Sequence, residues 1–295
     1  MRGALPVLSV VLAIIVIWYL ACIPMNRAWT EDRAPDGVAL TFSDILADIW
    51  VQERPVLPAP HQVLGELWAT TGGEAVVRER RGELRGNPRS LIFHAYQTLA
   101  PTLLGFVFGT LAGLLLAIGI VHNRAMDMGV MPWAIASQTI PILAIAPMII
   151  VVLNSMGISG LLPKSLISAY LSFFPVVVGM VKGLRAPSPM DLDLLRTYSA
   201  DRAQVLWKLR LPASIPFLFA SLKVGIAASL VGAIVAELPT GARFGLGARL
   251  LTGSYYGQTI QIWSALFMAA ICAAALVGTL GLLERLTLRR MGVRP

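Results

Sequence analysis

Charged side chains are scarce in this sequence of 295 residues, where Asp, Glu, Lys and Arg together make up 14% of the chain. An average soluble domain carries roughly 25% of these residues. Hydrophobic residues make up 56% of the chain. This imbalance excludes an ordinary soluble domain and predicts a membrane protein.

Residues that could support catalysis, metal binding or redox chemistry are also few. Cys22 and Cys272 lie in separate apolar runs, where a thiol behaves as a small hydrophobic group, and they give no disulfide framework. His61, His94 and His122 are scattered along the chain, so we predict no catalytic residue and no metal site. The sequence has no G-x-x-x-x-G-K-S/T loop, so we expect any ATP to be bound by another polypeptide.

The chain is basic, with a formal net charge of +8, and two kinds of partner would explain this charge. A nucleic-acid surface would require a basic patch interleaved with aromatic residues, and the sequence contains no such patch. Anionic lipid and the excess of Lys and Arg in cytoplasmic loops explain the charge better. We therefore expect a lipid bilayer as a partner and no nucleic acid.

Six apolar runs are long enough to cross a bilayer, whose hydrocarbon core requires about 20 helical residues. They predict an all-α, polytopic membrane protein with spans near 5–23, 95–121, 130–153, 161–181, 215–238 and 260–283. In the second run Gly105, Gly109 and Gly113 recur every four residues. Such a stripe lets helices approach closely in lipid, so we predict helix packing rather than ligand binding there.

The first run has two interpretations. Arg2, the apolar residues after it and the sequence Tyr19-Leu20-Ala21-Cys22 are weakly similar to a signal peptide that is cleaved or lipidated. However, the run is longer than the usual apolar region of a signal peptide, and Tyr19 is bulky where a lipidation site would have an aliphatic residue. We favour an uncleaved first helix.

The distribution of charge predicts that both termini are cytoplasmic. In that orientation the cytoplasmic segments carry 12 of the 24 Lys and Arg residues and five acidic residues. The external segment at 24–94 carries eight basic and ten acidic residues. A basic tail would hold the end of the sixth span inside through Arg285, Arg289, Arg290 and Arg294.

These features predict four parts in the chain. They are a first transmembrane helix at 1–25, a periplasmic segment at 26–94, a core of five transmembrane helices at 95–284, and a basic cytoplasmic tail at 285–295. Within the periplasmic segment, helical spacing of Val63, Leu64, Leu67 and Trp68 predicts an interfacial helix near 61–71. We interpret the arginines of 72–90 as a solvated loop, and the alternative is that they gather an anionic substrate.

The segment at 182–216 is a polar, basic interruption between two apolar runs. Apolar residues recur at helical intervals on both sides of Ser199, which predicts two short helices joined by a turn. Ser199 or Asp201 can cap the second helix, with Gln204 in the capping-box position. On a membrane protein, a structured basic loop of this kind predicts a docking site for a soluble partner.

The order of residues in this segment resembles the EAA loop of inner-membrane permease subunits of ATP-binding-cassette (ABC) importers, in the nitrate, sulfonate and taurine branch. In that family a Glu-Ala-Ala triplet is followed three residues later by Gly and, after nine more residues, by an aliphatic residue, any residue and Leu-Pro. The residues of this chain at those positions are Asp193, Leu194, Leu195, Ser199, Leu209, Leu211 and Pro212. The spacing agrees throughout, whereas Asp replaces Glu, two leucines replace two alanines and Ser replaces Gly. We call residues 185–216 the EAA-like loop.

Other stretches extend the resemblance over nearly all of residues 57–284. The run from Leu57 to Leu64 looks like the Pro-x-Pro-x-x-Val-Leu segment that precedes the second span in this branch. Further similar residues lie in the third span and at the end of the fifth: Gln138, Pro141, Ala146, Pro147, Val235, Ala236 and Glu237.

The resemblance implies the MetI-like fold of a type I importer permease in the bacterial inner membrane. Such permeases work in pairs, as identical copies or paralogues, with a cytoplasmic ABC ATPase dimer and a periplasmic substrate-binding protein. It implies that the chain itself binds no cofactor, because ATP and Mg are held by the ATPase. The residues implied in coupling are Asp193, Leu194, Leu195, Arg196, Tyr198, Ser199, Arg202, Leu211 and Pro212. Leu194, Leu195 and Tyr198 would enter a groove of the ATPase, and the alternative is that the leucines only seat the loop against its own spans.

Ionisable residues in spans are functional candidates. Lys223 and Glu237 lie on one predicted helix, about 21 Å apart along its axis, so they cannot pair with each other. We predict that Lys223 extends towards the cytoplasmic interface. Glu237 has two interpretations, an ion pair with Arg243 in the following loop, or a gate or contact with the binding protein.

Gln138, Thr139, Pro141 and Pro147 predict a bend in the third span. The bend could direct polar groups into a translocation path, because proline frees backbone carbonyls that protein or water must satisfy. It could equally be a kink packed against a neighbouring helix. The sequence leaves both interpretations open.

Two other classes of protein remain as alternatives. An ion-coupled secondary transporter, or another polytopic protein without an ATPase partner, would be expected to show broken inverted repeats or intramembrane acid pairs. A membrane-embedded enzyme would require a convergent set of acids, histidines or a nucleophile, and the spans supply almost none. The sequence does not identify the transported solute.

Overall fold

The computed structural model describes residues 4–33, 41–72 and 90–292, and these residues form helices joined by turns, without strands among them. The helices are α1 (Ala4–Asp32), α2 (Phe42–Ile49), α3 (Pro60–Thr71), α4 (Leu91–His122), α5 (Arg124–Ser137), α6 (Ile142–Ser155), α7 (Leu161–Leu184), α8 (Pro189–Thr197), α9 (Arg202–Val205), α10 (Leu211–Glu237), α11 (Leu246–Tyr255) and α12 (Thr259–Arg290). A π-helical turn at Leu206–Arg210 joins α9 to α10. Arg2, Arg294 and the arginines of the 72–90 segment lie outside the described residues.

Five helical segments of the described chain are long and apolar enough to cross a membrane. They are α1, α4, α7, the continuous run from Arg202 to Glu237, and α12. The bent pair of α5 and α6 raises the number to six if it is counted as one span. The predicted all-α, polytopic architecture is therefore confirmed.

The predicted third span at 130–153 is corrected to two helices. The axes of α5 and α6 meet at 100° across the break between Ser137 and Ile142. Pro141 explains the break, because it has no N–H to donate to the carbonyl of Ser137 and its ring restricts the residue before it. The predicted bend is thus present, and it is much sharper than a kink in one continuous helix.

The chain divides into two compact units, which we describe separately. The first contains residues 1–95 and 248–269, and the second contains residues 96–247 and 270–295.

In the first unit, α2 and α3 pack against the C-terminal half of α1. The buried cluster between them contains Cys22, Ile45, Ile49 and Ala59. Asn26 fixes the chain before α3, because its amide donates to the Leu57 carbonyl at 2.8 Å and accepts from the Leu57 N–H at 3.0 Å. Such a bidentate bond satisfies backbone groups that have no partner within a helix.

A small polar network lies between α1 and the end of α2. Gln52 and Thr30 donate hydrogen bonds to the same carboxyl oxygen of Asp48, at 3.0 and 2.8 Å. These bonds, that of Gln52 first, hold the pKa of Asp48 below its ordinary value because they favour the charged carboxylate.

Helix α3 occupies the position where the sequence predicts an interfacial helix. Its inner face contains the buried Val63, whereas Leu64 and Trp68 on the other face are 62% and 71% exposed. Glu66 lies 3.8 Å from the guanidinium of Arg249. An exposed apolar face of this kind suits the membrane–water boundary, and the location of α3 there stays a prediction.

In the second unit, glycines allow α4, α7 and α10 to approach closely. A Cβ atom added at Gly109 of α4 would lie 2.1 Å from the Ser172 hydroxyl and 2.8 Å from the carbonyl of Ala169 on α7. A Cβ atom at Gly232 of α10 would likewise lie 2.8 Å from the Cα of Ser168 on α7. Contacts this short leave no space for a side chain, so the predicted packing role of the glycine stripe is confirmed.

Candidate functional site

The first helix of the EAA-like loop, α8, is capped by Ser188, the residue that precedes it. Ser188 accepts a hydrogen bond from the Asp191 N–H at 3.2 Å, and the Asp191 carboxylate accepts from the Ser188 N–H at 3.3 Å. Pro189 is the first residue of α8, where its fixed φ suits a helix and its missing N–H costs nothing. Together these features start α8 as a new helix, separate from α7.

Helix α8 ends in a Schellman turn centred on Ser199. The Ser199 N–H donates to the Arg196 carbonyl at 2.9 Å, and the Ala200 N–H donates to the Leu195 carbonyl at 3.0 Å. Ser199 has φ of 54°, in the left-handed region that glycine normally occupies. The position at which the EAA pattern has Gly therefore requires a positive φ, and serine adopts it here at a cost of about 1–2 kcal/mol.

The second helix of the loop is capped by Asp201, as the sequence predicts. The Asp201 carboxylate accepts from the Gln204 N–H at 2.7 Å, and the Gln204 side chain accepts from the Asp201 N–H at 3.1 Å. Of the two predicted caps, Asp201 is the one observed. Ser199 serves the turn instead.

The π-helical turn at Leu206–Arg210 accommodates the proline of the Leu-Pro pair. The Leu211 N–H donates to the Leu206 carbonyl, five residues back rather than four. Pro212 follows immediately, and a proline ring normally clashes with the carbonyl four residues before it. One extra residue in the turn relieves this crowding, so the run from α9 into α10 stays helical.

Several contacts hold the loop to the helices of the second unit. The Arg210 guanidinium donates to the carbonyl of Leu184 at 2.9 Å and so satisfies a group at the C-terminus of α7. Arg185 pairs with Asp127 at 2.8 Å. Leu206 and Leu211 pack against the buried cluster that includes Leu184. These residues hold the loop against the helices of the second unit, and the exposed residues of α8 lie on the remaining surface of the loop.

Helix α8 presents an apolar stripe to its surroundings. Met190, Leu194 and Tyr198 recur every four residues and are 81%, 55% and 76% exposed. Leu195 is only partly exposed and lies to one side of the stripe. Met190 was not predicted, although its position four residues before Leu194 places it on the same helix face.

The predicted charged residues of the loop lie beside this stripe. Asp193 and Arg196 pair with each other at 2.9 Å, and both side chains are well exposed. Arg202 is also exposed. Asp193 therefore makes its polar contact within α8.

The break between α5 and α6 exposes the polar residues predicted there. Gln138, Thr139 and Pro141 are all exposed in the chain. The hydroxyl of Tyr170, on α7, donates to the carbonyl of Ser137. This hydroxyl replaces the N–H that Pro141 lacks, so the bend is held by α7 and does not leave the carbonyl unsatisfied.

Glu237, the last residue of α10, is fully buried in a polar cluster. One carboxyl oxygen accepts from the Thr98 hydroxyl at 2.8 Å, and the other accepts from the Gly247 N–H at 2.7 Å. The Thr98 oxygen in turn accepts the Leu246 N–H at 2.8 Å. Thr98 and Glu237 thus satisfy the first two N–H groups of α11, which have no partner within that helix.

These contacts differ from the predicted ion pair between Glu237 and Arg243. The loop between α10 and α11 instead brings glycine against the carboxyl group, because a Cβ at Gly245 would lie 2.3 Å from it. Gly245 has φ of 137°, which side chains rarely tolerate.

Lys223 is also paired within the helices. Its ammonium group donates to the carboxylate of Glu284 on α12, and Gly281 leaves space beside the stem of the lysine side chain. The ion pair adds a partner that the sequence did not predict, and the extension of Lys223 towards the cytoplasmic interface stays a prediction. An ion pair of this kind is the usual arrangement for charges within a membrane span.

Among the described residues, no three His, Cys, Asp or Glu side chains are grouped so that they could hold a metal ion.

The long apolar helices define a polytopic membrane protein. Residues 109–293 match the family described as binding-protein-dependent transport system inner membrane component. The chain belongs to this family, and it is a permease subunit of an ABC importer of small solutes. The predicted class and branch are confirmed.

Relatives of several kinds are similar to the chain. The riboflavin transport system permease protein of Chloroflexus aurantiacus is 30% identical over 234 residues, which are 79% of this chain and 80% of the relative. The formylaminopyrimidine transport permease protein of Halalkalibacterium halodurans is 30% identical over 195 residues, 65% of this chain and 73% of the relative. The taurine transport system permease protein of Escherichia coli is 24% identical over 265 residues, 90% of this chain and 91% of the relative.

Proposed function

We propose that this permease admits a small solute delivered by a periplasmic binding protein and that its EAA-like loop couples the helices to a separate cytoplasmic ATPase. The observation that carries the proposal is the exposed stripe of Met190, Leu194 and Tyr198 on a helix capped at both ends. Removing exposed apolar side chains from water is favourable, and on this polar loop a partner protein has to cover them for that to happen.

The loop is suited to transmit a displacement because hydrogen bonds fix both ends of α8 and the connection to α7. Its caps satisfy the backbone groups at the start and end of α8, and Arg210 fixes it to the end of α7. The helical run from Arg202 to Glu237 contains 36 residues, about 54 Å at 1.5 Å per residue. A displacement of the loop would therefore move the far end of α10, where Glu237 holds the start of α11.

In this mechanism the contact residues divide into two groups. Leu194 and Tyr198, extended by Met190, enter a groove of the ATPase, with Leu195 at its edge. Arg196 and Arg202 contact the rim, where Asp193 holds Arg196 in place. Ser199, Leu211 and Pro212 shape the turn and the entry into α10.

The solute path would pass the break between α5 and α6. Gln138 and Thr139 are exposed there beside Pro141, in a region otherwise rich in apolar side chains, which supports a polar surface for a solute. Glu237 would act as a gate residue, since its carboxyl group joins α4, α10 and the first N–H groups of α11.

The assembly we infer has two permease chains, identical or paralogous, two ATPase subunits that hold ATP and Mg, and one binding protein. Both termini of the chain lie in the cytoplasm, and the complex lies in the bacterial inner membrane. This chain would bind no cofactor. The three relatives described above are named for the transport of riboflavin, a formylaminopyrimidine and taurine, which supports a small organic solute.

Site-specific photo-crosslinking tests the contact. A photoreactive amino acid at Tyr198 should capture one protein, whose tryptic peptides contain a G-x-x-x-x-G-K-S/T loop. The same amino acid at Trp68, which is exposed to a similar degree on α3, is the control and should not capture it. Capture from Trp68 but not from Tyr198 would refute the proposed docking surface.

A further inference from the structure

A groove of about 420 Å³ runs between α7 and α10 in the second unit. Its apolar walls include Phe174, Val178, Phe217, Ala220 and Val224. Val224 is 58% exposed and Ala220 is also exposed, so the groove opens outwards from the helix pair. Water is a poor occupant of such a surface.

Small residues form the floor of the groove. A Cβ atom at Gly179 would lie 2.5 Å from the Cβ of Ser221, and one at Gly183 would lie 2.9 Å from the Cβ of Phe217. The backbones of the two helices therefore lie close together at these residues, and the larger side chains on either side of this contact form the walls of the groove. The groove is thus a consequence of the helix packing.

A cation lies at one end of the groove. The ammonium group of Lys182 is 6.0 Å from the centre of the Phe217 ring, and Lys182 is only two residues from the end of α7. The chain leaves the helices there for the polar EAA-like loop, so we expect this end to lie at the level of the membrane–water boundary. Arg185 and Arg210 nearby are engaged with Asp127 and the Leu184 carbonyl. Lys182 forms no ion pair with any described residue.

We propose that this groove binds one anionic phospholipid, with an acyl chain along the apolar walls and the headgroup phosphate at Lys182. The cationic end of the groove matches the anionic headgroup of a phospholipid, and the apolar remainder matches its acyl chain. Phe174 and Lys182 are eight residues apart on α7, about 12 Å, which accommodates a large part of an acyl chain. This inference does not rest on the docking of an ATPase.

Native mass spectrometry of the full-length chain tests the proposal. The chain is purified in mild detergent, delipidated and titrated with dioleoyl phosphatidylglycerol or dioleoyl phosphatidylcholine. Phosphatidylglycerol should bind about fivefold more tightly, the preference expected of one lysine near the membrane surface. Lys182→Gln should abolish this preference and leave phosphatidylcholine binding unchanged. Lys164→Gln, at the other end of α7, is the matched control and should keep the preference.

A second pair of variants tests the apolar walls. Ala220→Trp or Val224→Trp fills the groove and should remove one bound lipid of either kind. Equal affinity of the unmodified chain for the two lipids, or a full preference in Lys182→Gln, would overturn the proposal. So would a disulfide between two copies carrying Val224→Cys, since a second copy would then cover the groove.

Discussion

Replacement of Glu237 by Ala removes the acceptor of two buried hydrogen bonds. The Thr98 hydroxyl and the Gly247 N–H, which donate to the carboxyl group at 2.8 and 2.7 Å, would lose this partner. A buried donor without an acceptor costs about 1–3 kcal/mol, so we expect a loss of roughly 2–6 kcal/mol. The cavity left by the side chain would add to this loss.

The loss can be measured as thermal stability of the purified chain in detergent, by the fraction that stays monodisperse after heating. Glu237→Gln is the informative companion. Its amide oxygen can accept from Gly247 and its amide nitrogen can donate to Thr98, so it should lose much less than Glu237→Ala. Thr98→Val removes the hydroxyl group that donates to Glu237 and keeps nearly the same side-chain volume. The double variant of Glu237→Ala and Thr98→Val should lose less stability than the sum of the two single losses.

A Glu237→Ala variant that stays as monodisperse as the parent chain after the same heating would refute this reasoning, because the carboxyl group would then be dispensable to the cluster. Transport adds a separate test of the gate. Glu237→Gln that is stable and retains full uptake would exclude a role for the carboxylate in gating.

Three further perturbations follow from the structure. Ser199→Gly should stabilise the chain in a heating assay by up to about 1 kcal/mol, because glycine adopts a positive φ without strain and this gain exceeds its cost in chain entropy. Ser199→Val should destabilise the chain. A Ser199→Val chain more stable than Ser199→Gly would contradict the positive φ at this turn. Gly109→Ala should lower the stability of the chain by about 1–3 kcal/mol, because the added Cβ atom meets the Ser172 hydroxyl. Gly65→Ala is the control and should be neutral or slightly stabilising, because no atom lies within 4 Å of the added Cβ atom. Equal effects of the two variants would argue against close packing at Gly109. The hydrogen bonds to Asp48 contribute stability above the ordinary carboxyl pKa and lose it as pH falls through the lowered value. Stability measured from neutral to acidic pH should therefore fall less in Asp48→Asn, and an unchanged pH profile would refute the role of these bonds.

The features that were predictable from sequence are local ones. Apolar runs of the required length predict the spans, and the Asp201 cap follows from Gln204 three residues later. Pro141 predicts a bend in the third span. Its angle was not predictable, because it depends on Tyr170, which lies 33 residues from Ser137 in the chain and supplies the missing hydrogen bond.

The partners of buried charges were not predictable for the same reason. Arg243 is close to Glu237 in sequence, yet Thr98, 139 residues away, donates to the carboxyl group. Lys223 likewise finds Glu284 at a separation of 61 residues. Such pairs depend on which helices become neighbours, and apolar periodicity alone does not determine this.

The central claim is that the stripe on α8 docks an ATPase. Its most direct test is the amount of ATP-hydrolysing subunit that copurifies with the permease when Leu194 is replaced by Glu. Burial of a leucine is worth about 1.5–3 kcal/mol, so the complex should weaken by roughly 10-fold or more, and Leu64→Glu on α3 should have no effect. A complex that retains its full complement of ATPase with Leu194→Glu would contradict the account.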